Sequence, residues 1–344
     1  MTFTVYPGLD GYCVNVLRGA IGQSGQLLRP LGIRRWAVIC DTNVAPLYGE
    51  TVCRRLQDAG MEGELFTVPA GEESKCLTVY GDLCRRMAQR GYQRSDGILA
   101  LGGGMTGDLA GFAAATYQRG MTLVQMPTSL LAQVDSCIGG KTGLDLPEGK
   151  NLLGAFYRPR MVIVDPDCLQ TLPLRQLHSG AAEVIKYGLI ADPDILTQLE
   201  TEPDWDCLIE KCLRIKAHLV QQNERDTGAR RILNFGHTFG HAYERSGGYQ
   251  VYTHGEAVAA GMAQMLRWQI AQGERLQPVY ERLTTLLRRY ELPERIACER
   301  EKLFTWIARD KKAEADGVVV ITLSSAGCAM QRKVKLSSLL EVGE

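Results

Sequence analysis

The sequence predicts an α/β unit, a Rossmann-like parallel sheet with helices on its faces, followed by a mainly helical unit. Three observations carry this. Short apolar runs alternate with amphipathic stretches through the first half of the chain, the signature of strands joined by crossover helices. Those runs end in Asp, Gly or Ser/Thr, the punctuation of strand ends. After about Pro173 the β-branched clusters give way to helical periodicity from Leu177 to Glu301. The expected division is an α/β domain over residues 1–173 and a helical domain over 174–344.

Taken in order, Trp36-Ala37-Val38-Ile39-Cys40 is expected to be a buried strand ending at Asp41. Glu50 to Ala59 and Leu77 to Arg90 are apolar on one side and predict helices. Gly97-Ile98-Leu99-Ala100-Leu101 predicts a second strand, running into Gly102-Gly103-Gly104 and then a helix of small residues, Leu109 to Ala115. Leu123 to Met126 predicts a third strand before Pro127-Thr128-Ser129, and Met161 to Val164 a fourth before Asp165-Pro166. In such sheets ligands gather at the carboxyl ends of the strands, where Asp41, the triple glycine and Thr128-Ser129 fall. Near the end, Val318 to Leu323, a Ser-Ser-Ala-Gly turn and Cys328 to Leu336 predict a hairpin.

Composition narrows the function classes. The chain is 45% hydrophobic and 23% charged, which excludes a disordered or low-complexity protein. Its 39 basic side chains balance 39 acidic ones, so it lacks the basic surplus that broad nucleic-acid binding needs. Its 11 cysteines are scattered and none forms a Cys-x-x-Cys pair, unlike a secreted disulfide framework. Met1 to Pro7 shows no basic n-region or apolar h-region, and no run approaches the ~18 apolar residues of a membrane span. These features predict a cytoplasmic protein with free thiols and no membrane partner.

Three constellations carry chemistry. Gly102-Gly103-Gly104-Met105-Thr106-Gly107-Asp108 fits Gly-x-Gly-x-x-Gly between a strand and a helix. Its backbone N–H groups can approach a pyrophosphate at a helix N-terminus. The competing reading is a tight strand-to-helix turn. Asp41 is either a ribose-binding carboxylate or a helix N-cap.

Second, three of only five histidines, His237, His241 and His254, fall within eighteen positions, the first two at i, i+4. Imidazoles clustered in a His-poor chain point to a metal, with Glu183, an acid inside an apolar segment, as the candidate third donor. The plainer alternative is two surface histidines and one cap.

Third, Arg119, Lys141, Lys150, Lys186, Lys216 and Arg230 each lie beside Gly-rich or apolar sequence, and such cations can build an anion pocket in a neutral protein. A Walker loop is excluded, because Asp135 stands where that motif needs glycine.

Six blocks in order, GGGMTGDLAGFAAATY (102–117), PTSLLAQVDSCIGGKTG (127–143), GKNLLGAF (149–156), AAEVIKYG (181–188), LNFGHTFGHA (233–242) and HGEAV (254–258), resemble the 3-dehydroquinate synthase family of sugar phosphate cyclases. The resemblance implies an NAD-binding α/β domain, a helical metal-binding domain, and an active site between them. It implies zinc or cobalt on Glu183, His237 and His254, with His241 a pocket residue. NAD contacts are implied for Asp41, Asn43, Glu72, Lys75, Gly103, Gly104, Met105, Thr106, Gly107, Asp108, Thr128, Ser129, Lys141 and Lys150. The same holds for Cys168, Leu169, Gln170 and Thr171, where Cys168 replaces the family's usual Thr. Substrate contacts are implied for Asp135, Lys141, Asn151, Lys186, Lys216, Arg230, Asn234 and His241. Arg119 matches an arginine that reaches a neighbouring subunit, which implies a homodimer, and Lys312, with Lys311, matches a lysine near the phosphate.

The implied reaction converts 3-deoxy-D-arabino-heptulosonate 7-phosphate to 3-dehydroquinate and phosphate. It runs by transient NAD-dependent oxidation, phosphate elimination, re-reduction and intramolecular aldol closure. Two alternatives stand beside it. A sister cyclase such as 2-deoxy-scyllo-inosose synthase would not need the carboxylate partners Lys216 and Arg230. A metal-dependent polyol dehydrogenase would need no phosphate cluster and would release NADH.

Overall fold

The computed structural model describes residues 1–6, 11–225, 228–309, 313–314 and 317–340. The chain divides into two compact units, Met1–Leu172 with Lys216–Gln221, and Pro173–Ile215 with Gln222–Glu344.

The first unit is built on a seven-stranded sheet. Its strands are β1 (Thr2–Val5), β2 (Tyr12–Val16), β3 (Arg35–Asp41), β4 (Glu62–Val68), β5 (Gly97–Gly102), β6 (Thr122–Pro127) and, after a separate hairpin of β7 (Lys141–Leu146) and β8 (Gly149–Phe156), β9 (Met161–Val164). The order is β1-β2-β9-β6-β5-β3-β4, antiparallel only between β1 and β2. The helices are α1 (Ser24–Leu28), α2 (Glu50–Asp58), α3 (Leu77–Gln89) and α4 (Gly104–Thr116). Strand residues alternate between two cores. Ala37, Ile39, Ile98 and Ala100 join Leu83, Met87 and Leu109 on one face. Trp36, Val38, Leu99 and Leu101 join Leu28, Val52 and Leu56 on the other. Burial on both faces explains why β5 reads as an uninterrupted apolar run.

From β3 the chain passes to β4 on one side, then returns to place β5 on the other. The junction of β3 and β5 is therefore the point where strand order reverses, and a ligand crevice opens at such points. Asp41 and the triple glycine terminate these two strands.

The second unit contains α5 (Leu174–Ile190), α6 (Asp194–Leu199), most of α7 (Trp205–Gln222), α8 (His237–Ser246), α9 (His254–Ala271), α10 (Gln277–Arg289) and α11 (Arg300–Arg309). A three-stranded antiparallel sheet, β10 (Ala313–Glu314), β11 (Gly317–Ser325) and β12 (Cys328–Val334), completes it. The expected C-terminal hairpin is β11–β12. No helix among the described residues is long and apolar enough to cross a membrane.

Every residue of α5 from Ser179 to Ile190 is buried, so this helix is a central post of the unit. Two glycines let backbones touch around it. A Cβ on Gly255 would stand 1.9 Å from the Ser179 carbonyl oxygen, which brings α9 against α5. A Cβ on Gly261 would stand 2.1 Å from the Gly236 carbonyl oxygen, which brings α9 against the start of α8. Neither position accepts a larger residue without moving main chain. The start of α9 is fixed by a capping box. Thr253 Oγ1 accepts the Glu256 N–H at 3.2 Å, and Glu256 Oε2 accepts the Thr253 N–H at 2.8 Å.

Candidate functional site

The three closely packed helices of the second unit each bring one donor to a common point. Glu183 comes from α5, His237 is the first residue of α8 and His254 the first of α9. Their donor atoms all lie within 4.8 Å of one another. Glu183 Oε1 is 3.6 Å from His237 Nε2 and 3.5 Å from His254 Nε2. Ligands ~2.0–2.1 Å from one tetrahedral ion stand about 3.3 Å apart, so the set needs little adjustment to close on a cation. A carboxylate and two imidazoles are the donor chemistry of a Lewis-acid zinc or cobalt site. The residues present fit the metal.

Neighbouring groups aim the donors. The Phe235 carbonyl lies 3.1 Å from His237 Nδ1, and Glu244 Oε2 lies 3.4 Å from His254 Nδ1. Each contact leaves Nε2 directed at Glu183, the outer-shell arrangement that orients metal-binding histidines. Lys186, one turn after Glu183, pairs its ammonium with Oε2. Burial and the nearby Lys186 charge push His237 well below the usual histidine range, so it presents a neutral ring. For His254 burial opposes the charged form, but the Glu244 and Glu183 carboxylates outweigh it and push its pKa up to about 10. In the metal-free protein His254 therefore carries a proton that an arriving cation must displace.

Arg230 and Lys186 are buried, with 1% of each exposed, and Asn234 ends the turn that leads into α8. Arg230 donates from Nη1 to the Glu224 carbonyl. The His241 ring centre lies 5.4 Å from that of His237 and 6.2 Å from that of His254, yet His241 is not among the three converging donors. Spacing alone had left open whether His237 and His241 form a ligand pair. The geometry makes His241 a neighbour of the trio.

In the first unit, the Asp41 carboxylate holds the turn that follows β3. Oδ1 accepts the N–H groups of Asn43 at 2.8 Å and Val44 at 3.1 Å, while Oδ2 accepts the Thr106 hydroxyl at 3.2 Å across the strand-order reversal. The glycine loop is part packed and part open. Gly102 and Gly107 are packing positions, where a Cβ would meet Thr106 Oγ1 at 2.6 Å and Gln125 Oε1 at 2.9 Å. Gly103, Gly104 and Met105 are partly exposed where α4 begins, with Ser129 beside Gly103. The buried Thr128 donates its N–H to the Gly102 carbonyl at 3.0 Å.

Lys75 organises a second cluster. Its ammonium donates to Asp108 Oδ2 at 2.6 Å and to Asn151 Oδ1, with Glu72 Oε1 at 3.8 Å. Lys150 reaches the same Glu72 oxygen at 3.5 Å. Burial works against the Lys75 charge, but Asp108 and Glu72 outweigh it and hold the ammonium well above the usual lysine range. Lys216, in the segment of α7 that groups with this unit, donates to the Asp135 carbonyl at 2.6 Å and pairs with its carboxylate at 2.9 Å.

Cys168, Leu169, Gln170 and Thr171 form one 3-10 turn, capped by Asp165, and Tyr48 is hydrogen-bonded to Thr171. Burial pushes the Cys168 thiol up to about 12, so it behaves as a packed apolar group. Lys141 begins β7, and Arg119 is exposed in a left-handed conformation, φ 60°. Lys312 and Lys311 lie outside the described residues.

Two residues escaped the sequence reading. Glu244 lies seven positions after His237 and three after His241, so helical spacing places it on their face. An acid at that spacing was the available signal. Asp145 gave no signal beyond being an acid between apolar residues.

An α/β unit with a glycine loop at its reversal point, together with a helical unit centred on two imidazoles and a carboxylate, is the architecture of the sugar phosphate cyclases. A solved 2-deoxy-scyllo-inosose synthase, complexed with carbaglucose-6-phosphate, NAD+ and Co2+, superposes with a TM-score of 0.90 at 24% identity, over 99% of both chains. A 2-epi-5-epi-valiolone synthase from Streptomyces hygroscopicus, with NAD+ and Zn2+ bound, gives 0.87 at 27% identity over 95% of this chain and 94% of that one.

Within that class the chain belongs to the 3-dehydroquinate synthase family. Residues 65–179 match the 3-dehydroquinate synthase N-terminal model and residues 180–313 the C-terminal model. A 3-dehydroquinate synthase from Streptococcus pneumoniae is 41% identical over 340 residues, 95% of each chain.

Proposed function

We propose that this chain converts 3-deoxy-D-arabino-heptulosonate 7-phosphate to 3-dehydroquinate and phosphate, with NAD and one divalent ion, zinc or cobalt, as cofactors. The observation that carries the proposal is the convergence of Glu183, His237 and His254 in a member of this family. When bound, NAD supplies reversible hydride transfer and the ion supplies Lewis acidity toward substrate oxygens.

The remaining work belongs to placed charges. Glu183, His237 and His254 hold the ion, Glu244 and the Phe235 carbonyl fix the two rings, and Lys186 offsets the Glu183 charge. On the cofactor side we assign Asp41, Asn43, Glu72, Lys75, Lys150, the loop Gly103–Asp108, Thr128, Ser129 and the turn Cys168–Thr171. Substrate is assigned to Asp135, Lys141, Asn151, Lys186, Lys216, Arg230, Asn234 and His241. The buried guanidinium of Arg230 suits the planar substrate carboxylate, and lysines suit its phosphate as point charges. We further propose a cytoplasmic homodimer in which Arg119 serves the neighbouring subunit.

The test is incubation with the heptulosonate phosphate and NAD+, with and without a chelator, following phosphate and absorbance at the NADH band. Phosphate release without NADH accumulation, lost on chelation, is the expected result. Steady NADH accumulation without phosphate release would make the protein a dehydrogenase.

A further inference from the structure

Lys75 and Asn151 have just been assigned to cofactor and substrate. Both are held by Asp145, a residue with no part in that assignment. The β7–β8 ladder breaks register between Leu144 and Leu146, and Asp145 occupies the break. Its N–H donates to the Lys75 carbonyl at 2.7 Å, and its Oδ1 accepts the Asn151 N–H at 2.7 Å. Asn151 is left-handed, φ 54°, a conformation uncommon outside glycine but one that Asn adopts more readily than most residues. The Asn151 side-chain oxygen in turn receives the Lys75 ammonium. Three residues from β7, β8 and the turn before α3 thus close a ring of hydrogen bonds. Strand irregularities commonly re-aim a side chain in this way, and here the re-aimed group is the Asp145 carboxylate.

We propose that Asp145 is a positioning residue. It holds the Asn151 backbone left-handed so that the Asn151 amide meets Lys75 and, on the function proposed above, the substrate. Only the Asn151 bond uses the Asp145 side chain, whereas the Lys75 bond uses its backbone. The side chain therefore acts on substrate through Asn151, and on the cofactor side through the lesser Coulombic pull of its carboxylate on the Lys75 ammonium. A plain hairpin clasp would behave differently, lowering stability without selecting between the two ligands.

The test compares Asp145→Ala, Asp145→Asn, Asn151→Ala and the double alanine variant, each as full-length, metal-loaded protein. Asp145→Ala should speed amide hydrogen exchange at Asn151 at least tenfold and lower kcat/KM for the sugar phosphate about tenfold, the loss expected for one charge-assisted hydrogen bond. The Kd for NAD+ by calorimetry should change by less than kcat/KM, because Lys75 keeps Asp108 and Glu72 as partners. Asp145→Asn keeps an acceptor oxygen and should restore both exchange and kcat/KM. The double variant should be no slower than Asn151→Ala alone. Unchanged kcat/KM in Asp145→Ala, additive losses in the double variant, or failure of Asn to rescue would each overturn the proposal. If the parent protein makes no 3-dehydroquinate, the functional reading falls, and Asn151 exchange still decides whether Asp145 holds that backbone.

Discussion

Arg175 grips Glu256 with two parallel hydrogen bonds, Nε to Oε1 at 2.7 Å and Nη2 to Oε2 at 2.8 Å. Arg175 lies in the first turn of α5, eight residues before Glu183, and Glu256 lies two residues after His254 on α9. The pair therefore clamps together the two helices that supply these metal donors.

That clamp has a pH dependence with a definite sign. Burial alone would raise the Glu256 pKa, but Arg175 and the Thr253 N–H hold it below the usual 4.5. A depressed carboxyl contributes stability that is full above its unfolded value and lost as pH falls through its folded value. Arg175→Ala should therefore destabilise by about 1 kcal/mol at pH 7, a figure kept small because Arg175 is 59% exposed. The difference from the parent should shrink below about pH 4.5, as read by urea unfolding at pH 7 and pH 3.5.

Removing a donor should remove the ion. Glu183→Ala should lose stoichiometric zinc and all measurable turnover, because two imidazoles alone hold zinc weakly. Elemental analysis after dialysis reads this directly, and full metal retention would take Glu183 out of the ligand set.

Glu244 touches only the far nitrogen of His254 within the donor set, yet its loss should weaken zinc about 10- to 100-fold, the usual consequence of losing an outer-shell partner. Titration of metal-free protein with zinc at pH 8 in weak buffer should also release a proton from His254, whose pKa is pushed up to about 10. Glu244→Ala removes the largest contribution holding that proton, so less should be released.

Arg230→Ala should lower turnover at least 100-fold while leaving the Kd for NAD+ within about threefold, since the proposed partner of Arg230 is the substrate carboxylate. Steady-state kinetics and calorimetry on one preparation separate the two. Equal losses in both would argue against the carboxylate assignment.

The fold was legible where burial is two-sided. The strands at Trp36–Cys40, Gly97–Leu101, Leu123–Met126 and Met161–Val164 are interior to the sheet and read as plain apolar runs. β4, at the sheet edge, opens with Glu62-Gly63-Glu64 and carries no such run. β1 is the other edge strand, and β2 beside it alternates buried Tyr12, Val14 and Val16 with half-buried Cys13 and Asn15, so neither reads as an apolar run. The β7–β8 hairpin is rich in Gly and Lys, residues of low strand propensity, so its segments gave no strand signal. His237 was visible in a cluster of imidazoles named for its own chemistry, whereas Lys75 entered only through the family resemblance. Glu244 and Asp145 act by holding another residue, a relation that exists only once the chain is folded.

The main-chain contacts at Gly255 and Gly261 determine how the metal can come and go. With α9 lying directly on α5 and on the entry to α8, the ligand positions are set by backbone packing and owe little to the ion. A chelator should then strip this protein without unfolding it, and the vacated site should reload without a slow refolding phase. In that respect it differs from the small zinc domains, whose architecture exists only while the ion is present.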